Sequence, residues 1–209
     1  MQLNIFNLGL IPFEEGLSFQ KELHSRAKEN NLAQGLIFCR HLPVITLGRS
    51  TDKKNILASE EELHRRMIKV IRTESGGDAT SHGPGQAIIY PVLNLNNFKK
   101  DIHWFLRGLE EVIISYLLGC GLKAERLPGF TGVWVNHRKI SSIGIAIKNW
   151  TTFHGVSLNL LNSDLANYKL IRPCGMDISM TSLEDELGRS IDFKEAEEKL
   201  AGKFSEVFN

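Results

Sequence analysis

Two side chains late in the chain, Cys174 and Lys139, have the types needed for covalent and proton-transfer chemistry. Cys174 lies in Ile171-Arg172-Pro173-Cys174-Gly175-Met176, where Pro173 fixes the entering backbone and Gly175 lets it leave sharply, a pattern that presents a thiol on a turn. Lys139 closes the tripeptide His137-Arg138-Lys139 and opens the apolar run that ends at Ile147. An ammonium beside a thiol lowers the thiol pKa from about 8.5 and can then carry a proton. Local sequence leaves two plainer readings open, a solvated lysine at a strand start and an inert buried cysteine. Histidines compete for the role of partner: His82, and His154 in Thr152-Phe153-His154-Gly155-Val156, could orient a thiol or polarise a carbonyl. Cys39 and Cys120 read as structural, and His24, His64 and His103 fall within helical patterns as surface residues.

Upstream, residues 75–86 read Ser-Gly-Gly-Asp-Ala-Thr-Ser-His-Gly-Pro-Gly-Gln, with four glycines and a proline between two apolar runs. Such a segment can wrap a ligand with its own N–H groups, and by itself it fits a phosphate cradle, a thioester pocket or an awkward connection. A phosphate-binding loop of the Gly-Lys-Ser/Thr type is excluded, because that ending is missing and a strand follows. No two histidines stand at i, i+4 with an accompanying carboxylate, which argues against a metal centre.

The elements that must position these groups come from one soluble α+β chain. At 209 residues it suits a single domain, 1–209, with room for a small appended lobe, and can bury a sizeable core. Its 25 Lys and Arg against 24 Asp and Glu, net +1, exert no global pull on nucleic acid or membrane, so docking must come from local patches. Three widely spaced cysteines suggest neither a disulfide framework nor a zinc site; with no signal peptide or membrane span evident, a cytoplasmic, unprocessed protein is expected.

Apolar periodicity predicts strands at 2–8, 35–39, 44–47, 69–72 and 87–95, the second and third separated by Pro43 and the last carrying Pro91. Helices are predicted at 13–30, with Phe13, Leu17, Gln20, Leu23 and Ala27 on one face, and at 101–118, with Leu106, Leu109, Ile113, Tyr116 and Leu117 on a stripe. Ser59 with Glu62 resembles a capping box opening a helix to about Met67. Three or four strands are expected over 122–160, with turns at Pro128-Gly129, Asn136-His137 and Lys148-Asn149, then helices at 182–187 and 193–208.

Four ordered segments carry a resemblance. They are residues 72–86, Gly132-Val133-Trp134-Val135 ahead of Lys139-Ile140, Phe153-His154-Gly155, and Pro173-Cys174-Gly175 before Thr181-Ser182-Leu183-Glu184. In that order, across about 45–188, the chain resembles the lipoyl (octanoyl) transferases, octanoyl-[acyl carrier protein]:protein N-octanoyltransferases. The resemblance implies the biotin protein ligase and lipoate ligase fold, a mixed sheet flanked by helices with a smaller sheet beside it. It implies transfer of an octanoyl group from octanoyl-acyl carrier protein, through a thioester on Cys174, to the acceptor lysine of lipoyl domains. Those acceptors are the lipoyl domains of 2-oxoacid dehydrogenase complexes and the glycine cleavage H protein. Lys139 is implied as the partner of Cys174, with no cofactor, ATP or metal. Substrate-binding roles are implied for Ser75, Gly76, Gly77, Asp78, Ala79, Thr80, Ser81 and His82, for Ser142, Ile143 and Gly144, and for His154, Gly155, Val156 and Ser157. Two positions depart from the family pattern: Ser75 replaces the usual arginine before the paired glycines, and Ser81 the usual aromatic before the histidine. An ATP-dependent lipoate or biotin ligase of the same fold is the alternative. Burying eight carbons at about 0.8 kcal/mol per methylene would supply roughly 5–6 kcal/mol for chain-length selection. Arg126, His137, Arg138, Lys139, Lys148 and Arg172 form a candidate steering patch for an acidic carrier.

Overall fold

The structure is a computed structural model that describes residues 3–29, 33–172 and 178–208. The elements run β1 (Asn4–Ile11), α1 (Phe13–Glu29), β2 (Gly35–His41), β3 (Val44–Leu47), α2 (Glu60–Arg65), β4 (Lys69–Arg72), β5 (Ala79–His82) and β6 (Gln86–Val92). They continue with α3 (Ile102–Gly119), β7 (Val133–Val135), β8 (Arg138–Lys148), β9 (Thr151–Asn159), α4 (Leu183–Leu187) and α5 (Phe193–Phe208). Two sheets result: a mixed six-stranded sheet ordered β1-β2-β6-β9-β8-β7 and a three-stranded sheet ordered β4-β3-β5. This is the expected α+β architecture of a main mixed sheet flanked by helices with a smaller sheet beside it.

Local chemistry sets the helix starts. Ser59 Oγ accepts from Glu62 N at 3.1 Å, Asp101 Oδ1 from Trp104 N at 2.9 Å and Ser182 Oγ from Asp185 N at 3.1 Å, each satisfying an amide that has no partner inside its helix. Apolar spacing then decides which face turns inward. On α3 the buried stripe is Phe105, Leu109, Val112, Ile113, Tyr116 and Leu117, and on α5 it is Ala196, Leu200, Phe204 and Phe208. The two helices pack together on one face of the large sheet around Leu36, Phe38, Ile89 and Leu158. A fully buried Leu or Phe in this layer stabilises by roughly 2–3 kcal/mol. Gly108 permits the approach, since a Cβ there would lie 2.5 Å from the Phe208 ring. Leu106, expected on this stripe, is half-buried: it packs against this core and also lines a cavity.

The other face of the sheet carries α1, with Leu23 and Ala27 packed on Ile37, Ile88, Tyr90 and Val92. β6 therefore alternates Ala87 and Ile89 toward α3 and α5 with Ile88 and Tyr90 toward α1, so both faces are apolar and the strand is buried along its whole length. Pro91 sits in this interior strand because the β6–β9 ladder ends at Ile89 opposite Val156. The missing amide costs nothing there, and Gly155 makes room, since a Cβ on it would stand 2.7 Å from Pro91 Cδ and 2.1 Å from Ile89 O.

Three expectations are corrected in the fold. Residues 75–86 are not one loop: Ala79–His82 forms β5, antiparallel to β3 with Val44 opposite His82. Residues 83–85 wrap an internal group, because Gly85 N donates to Asp164 Oδ2 and a Cβ on Gly83 would overlap that carboxylate. The turn between β8 and β9 falls on Asn149 and Trp150, both at positive φ (53° and 60°), one residue beyond the expected position.

Candidate functional site

Between the small sheet and the β8–β9 hairpin lies a cavity of about 390 Å³, within the size range of small-ligand sites. Its walls bring together most of the residues singled out in the sequence. Ser75, Gly76, Gly77, Asp78, Ala79, Thr80 and His82 line one side, Ser142, Ile143, Gly144, His154, Gly155, Val156 and Ser157 another, and Lys139 joins them. Ser81 is not among the lining residues; its side chain is buried. Cys174 lies outside the described residues.

Two sheets are stitched together to make this space. Gly76 N donates to Ile145 O at 2.8 Å, tying the glycine segment to β8, while Arg49 N and Ser50 N donate to Ser75 O and Gly77 O, each at 3.0 Å. A Cβ on Gly144 would stand 3.1 Å from Gly76 O, and one on Gly48 2.6 Å from Gly77 O, so glycines occur where backbone meets backbone. The amide of Gly76 is thus consumed internally and is no ligand donor. Val156 and Ser157 are likewise walls, since β9 is paired with β6 on one side and β8 on the other.

Lys139 is 5 % exposed, not solvated. The hairpin turn at Asn136 and His137, with φ of 49° and 61°, directs it inward as the second residue of β8. Its amide donates to Ser179 O at 2.8 Å and its carbonyl accepts from Thr181 N at 3.0 Å, so the chain after 177 returns alongside it. The ammonium lies 5.0 Å from the centroid of the Trp134 ring, a favourable cation–π contact in a nearly dry setting.

The histidines of the site are held neutral. His154 is 4 % exposed, and burial lowers its pKa to about 4 despite Glu74 Oε2 at 3.9 Å, which pulls the other way. Its backbone sits in the left-handed region, φ 56°, braced by its amide donating to Gln20 Oε1 at 2.8 Å. Its Nε2 has no hydrogen-bond partner among the described residues. His82 is also depressed by burial, opposed by a 2.9 Å bond in which Nδ1 donates to Gln86 Oε1. Behind them His41, lowered to about 4 by burial and by nearby His82, shares a 2.7 Å hydrogen bond with Tyr90 Oη. A neutral imidazole can donate or accept a hydrogen bond but stores no proton near neutral pH. Cys39, buried next to His41, has its thiol pushed well up by burial and is poorly suited to act as a nucleophile.

Sequence reasoning missed several lining residues. Phe13 and Tyr90 read as ordinary core positions, and Thr46 and Thr73 as strand and loop; only the Pro128-Gly129 turn hinted at Phe130 and Thr131. The proposed steering patch disperses: Arg126 is ion-paired with Glu110 and Glu111 at 3.0 and 2.6 Å, and Arg138 with Asp185 and Glu186 at 2.6 and 2.9 Å. Lys148 closes the far end of β8. Among the described residues, no cluster of three or more His, Cys, Asp or Glu is arranged to hold a metal, and no helix is long and apolar enough to cross a membrane.

A main sheet, a small companion sheet and a cavity with a buried lysine in its wall define an α+β domain with a small-ligand site. The family profile "Lipoyl protein ligase A/B catalytic domain" matches residues 12–205, and the chain belongs to that family. It is 42% identical over 200 residues to an octanoyltransferase of Clostridium kluyveri, covering 95% of this chain and 85% of the relative. An octanoyltransferase of Alkaliphilus metalliredigens is 40% identical over 211 residues, covering 100% and 96%. In fold it is similar to the lipoate protein ligase solved with its E2 lipoyl domain from Thermoplasma acidophilum, TM-score 0.74 at 16% identity, covering 99% of this chain and 84% of that one. Biotin protein ligase from Aquifex aeolicus is more distant, TM-score 0.56 at 14% identity, covering 100% and 70%.

Proposed function

We propose that the chain, acting as a single catalytic domain, moves an octanoyl group from acyl carrier protein to the lysine of lipoyl domains through a thioester on Cys174. The observation that carries this reading is the cavity, mainly apolar and with the buried Lys139 in its wall. The octanoyltransferase relatives support the chemistry. Both flanks of residues 173–177 are pinned to cavity residues. Arg172 N donates to Asn55 O at 2.8 Å, Asn55 Nδ2 reaches Asp78 Oδ2 at 2.6 Å, and Ser179 and Thr181 bracket the Lys139 backbone. These anchors on either side support the reading in which Cys174 serves this cavity.

In the first half-reaction the Cys174 thiolate attacks the thioester carbonyl. The new carbon–sulfur bond forms, the old one breaks, and the carrier leaves as a thiol after taking up a proton. In the second, the acceptor's neutral amine attacks the acyl-enzyme, an amide forms and Cys174 departs as thiolate. Lys139 stabilises that thiolate and relays the proton the amine sheds. Thioester exchange is close to thermoneutral and amide formation is downhill, so this route needs no nucleotide. His82 and His154, held neutral by burial, would line the acyl chain without taking up the proton that Lys139 relays. The donor would be octanoyl-acyl carrier protein, the acceptors lipoyl domains of 2-oxoacid dehydrogenase complexes and glycine cleavage H protein, and the compartment the cytoplasm.

Intact-mass spectrometry after mixing with octanoyl-acyl carrier protein tests the reading. An octanoyl adduct that maps to Cys174 and vanishes in Cys174→Ala is expected. Undiminished, ATP-dependent attachment of free octanoate by Cys174→Ala would replace it with a ligase.

A further inference from the structure

Glu110 is a carboxylate on the buried stripe of α3, and it is 1 % exposed. Its Oε2 accepts from Arg107 Nη1 at 2.6 Å and Arg126 Nε at 3.0 Å, and its Oε1 accepts from the backbone amide of Gly132 at 3.1 Å. Burying such a charge is tolerable only when every lone pair has a partner, and here two guanidinium groups and an amide supply them. The amide is the informative partner. Gly132 has φ +128°, a conformation closed to other residues, and it lies against the end of Lys139: a Cβ there would be 2.7 Å from Lys139 Cε, 3.3 Å from Nζ and 2.5 Å from Ser141 O. The residues just before it, Gly129, Phe130 and Thr131, line the cavity, and Phe130 meets Trp134 edge-on with centroids 6.4 Å apart. Gly132 and Trp134 therefore bound the ammonium on two sides, and the first of these is held in place from behind by Glu110.

We infer that Glu110 is a positioning residue for Lys139: by fixing the Gly132 amide it sets the wall against which the ammonium rests. The inference deepens the proposed reaction and rests on Lys139 taking part in it, but the placement of Lys139 can be read without any octanoyl substrate. The two roles a buried glutamate could play here predict opposite substitution patterns. If Glu110 serves only to neutralise two arginines, Glu110→Asp preserves function and Glu110→Gln does not. If it serves to hold Gly132, Glu110→Gln, which still reaches the amide with a carbonyl oxygen, is the benign change. Glu110→Asp, shorter by one carbon–carbon bond, is then the harmful one.

The experiment combines two readouts on Glu110→Asp and Glu110→Gln. The first is competitive acetylation of lysines with acetic anhydride across a range of pH, followed by peptide mass spectrometry at Lys139. The second is steady-state octanoyl transfer. Glu110→Asp is expected to change the acetylation profile of Lys139 and to lower kcat by roughly 10–100-fold with KM for the donor within about twofold, as a small misplacement of a reacting group does. Glu110→Gln is expected to keep both readouts within about threefold of the parent. An Asp variant with a parental Lys139 profile, or a Gln variant impaired more than the Asp variant, would overturn the inference. If Glu110→Asp fails to fold, Glu110→Gln decides alone: a parental Lys139 profile sustains the inference and a displaced one ends it. Should the acetylation result appear as expected while Lys139→Met still transfers octanoate at the parental rate, the placement stands and the proposed role of Lys139 falls.

Discussion

Lowering the pH from about 7 to about 5.5 should destabilise the protein through its buried histidines, before the carboxylates held low by their partners lose their contribution. His41 and His154 each fall from an ordinary 6.5 to about 4, chiefly by burial, and His82 is shifted the same way. A folded-state value below the unfolded one means that the unfolded chain takes up protons first. The stability these sites contribute is therefore complete above about pH 6.5, is lost as pH falls toward 4, and is constant below that. One such histidine loses roughly 1.2 kcal/mol between pH 7 and 5.5 and roughly 3 kcal/mol by pH 4. Two together remove roughly 2–3 kcal/mol in the upper window, a sizeable part of the 5–15 kcal/mol typical of a domain. Carboxylates held low by their partners, such as Glu14 beside Lys69 and Glu74 beside Lys21, lose their contribution only below their ordinary value of 4.5, outside this window. Asp164 and Glu197, raised by burial, oppose the loss and do not mimic it. Urea unfolding at the two pH values, on the parent and on a His41→Gln/His154→Gln variant, measures the effect. A parent that changes by less than about 0.5 kcal/mol, or a double variant that loses as much as the parent, would refute the reasoning.

Three further outcomes follow from the geometry. Gly155→Ala places a methyl 2.1 Å from Ile89 O, so it should cost roughly 1–3 kcal/mol or more and lower Tm by several degrees in a thermal melt. Gly83→Ala collides with Asp164 Cγ at 2.3 Å, so Gly83→Ala and Asp164→Ala should combine less than additively in a double-mutant cycle, with coupling of about 0.5–3 kcal/mol. Cys39, buried with its thiol pushed up, should react with a disulfide reagent only as fast as the protein unfolds, and stopped-flow labelling in native and denaturing buffer will show this.

The helices were legible because their inward faces repeat locally. Phe13, Gln20, Leu23 and Ala27 are buried as the period of α1 requires, and α5 spans Phe193–Phe208 as read from sequence. β5 was not legible: Ala-Thr-Ser-His has no apolar alternation, and its strand conformation comes from pairing with β3 some 35 residues earlier, Val44 opposite His82. The site was half legible. Glycines, histidines and Lys139 stood out by type and spacing, but the burial of Lys139 depends on Trp134, Gly132 and the chain at 179–181, three segments that meet only in space. Phe13 and Tyr90 were invisible as lining residues because a cavity wall and a core have the same composition. Asp164 explains why the glycine segment is so rich: part of that richness accommodates a carboxylate of the chain itself.

The two walls of the cavity differ in how they can change over generations. One is strand, β9 paired with β8 from Thr151 to Leu158 and with β6 from Val156 to Asn159, where a one-residue shift in alignment would flip inward side chains outward. The other, residues 75–78, hangs from a few backbone bonds to Ile145 and to the loop at 48–50. A lineage, or a directed-evolution campaign, seeking a longer or bulkier guest therefore has a cheap route and a costly one. Libraries confined to 46–51 and 73–78 should yield altered guests in proteins that still assemble, whereas the same diversity spent on 141–146 should mostly yield insoluble protein.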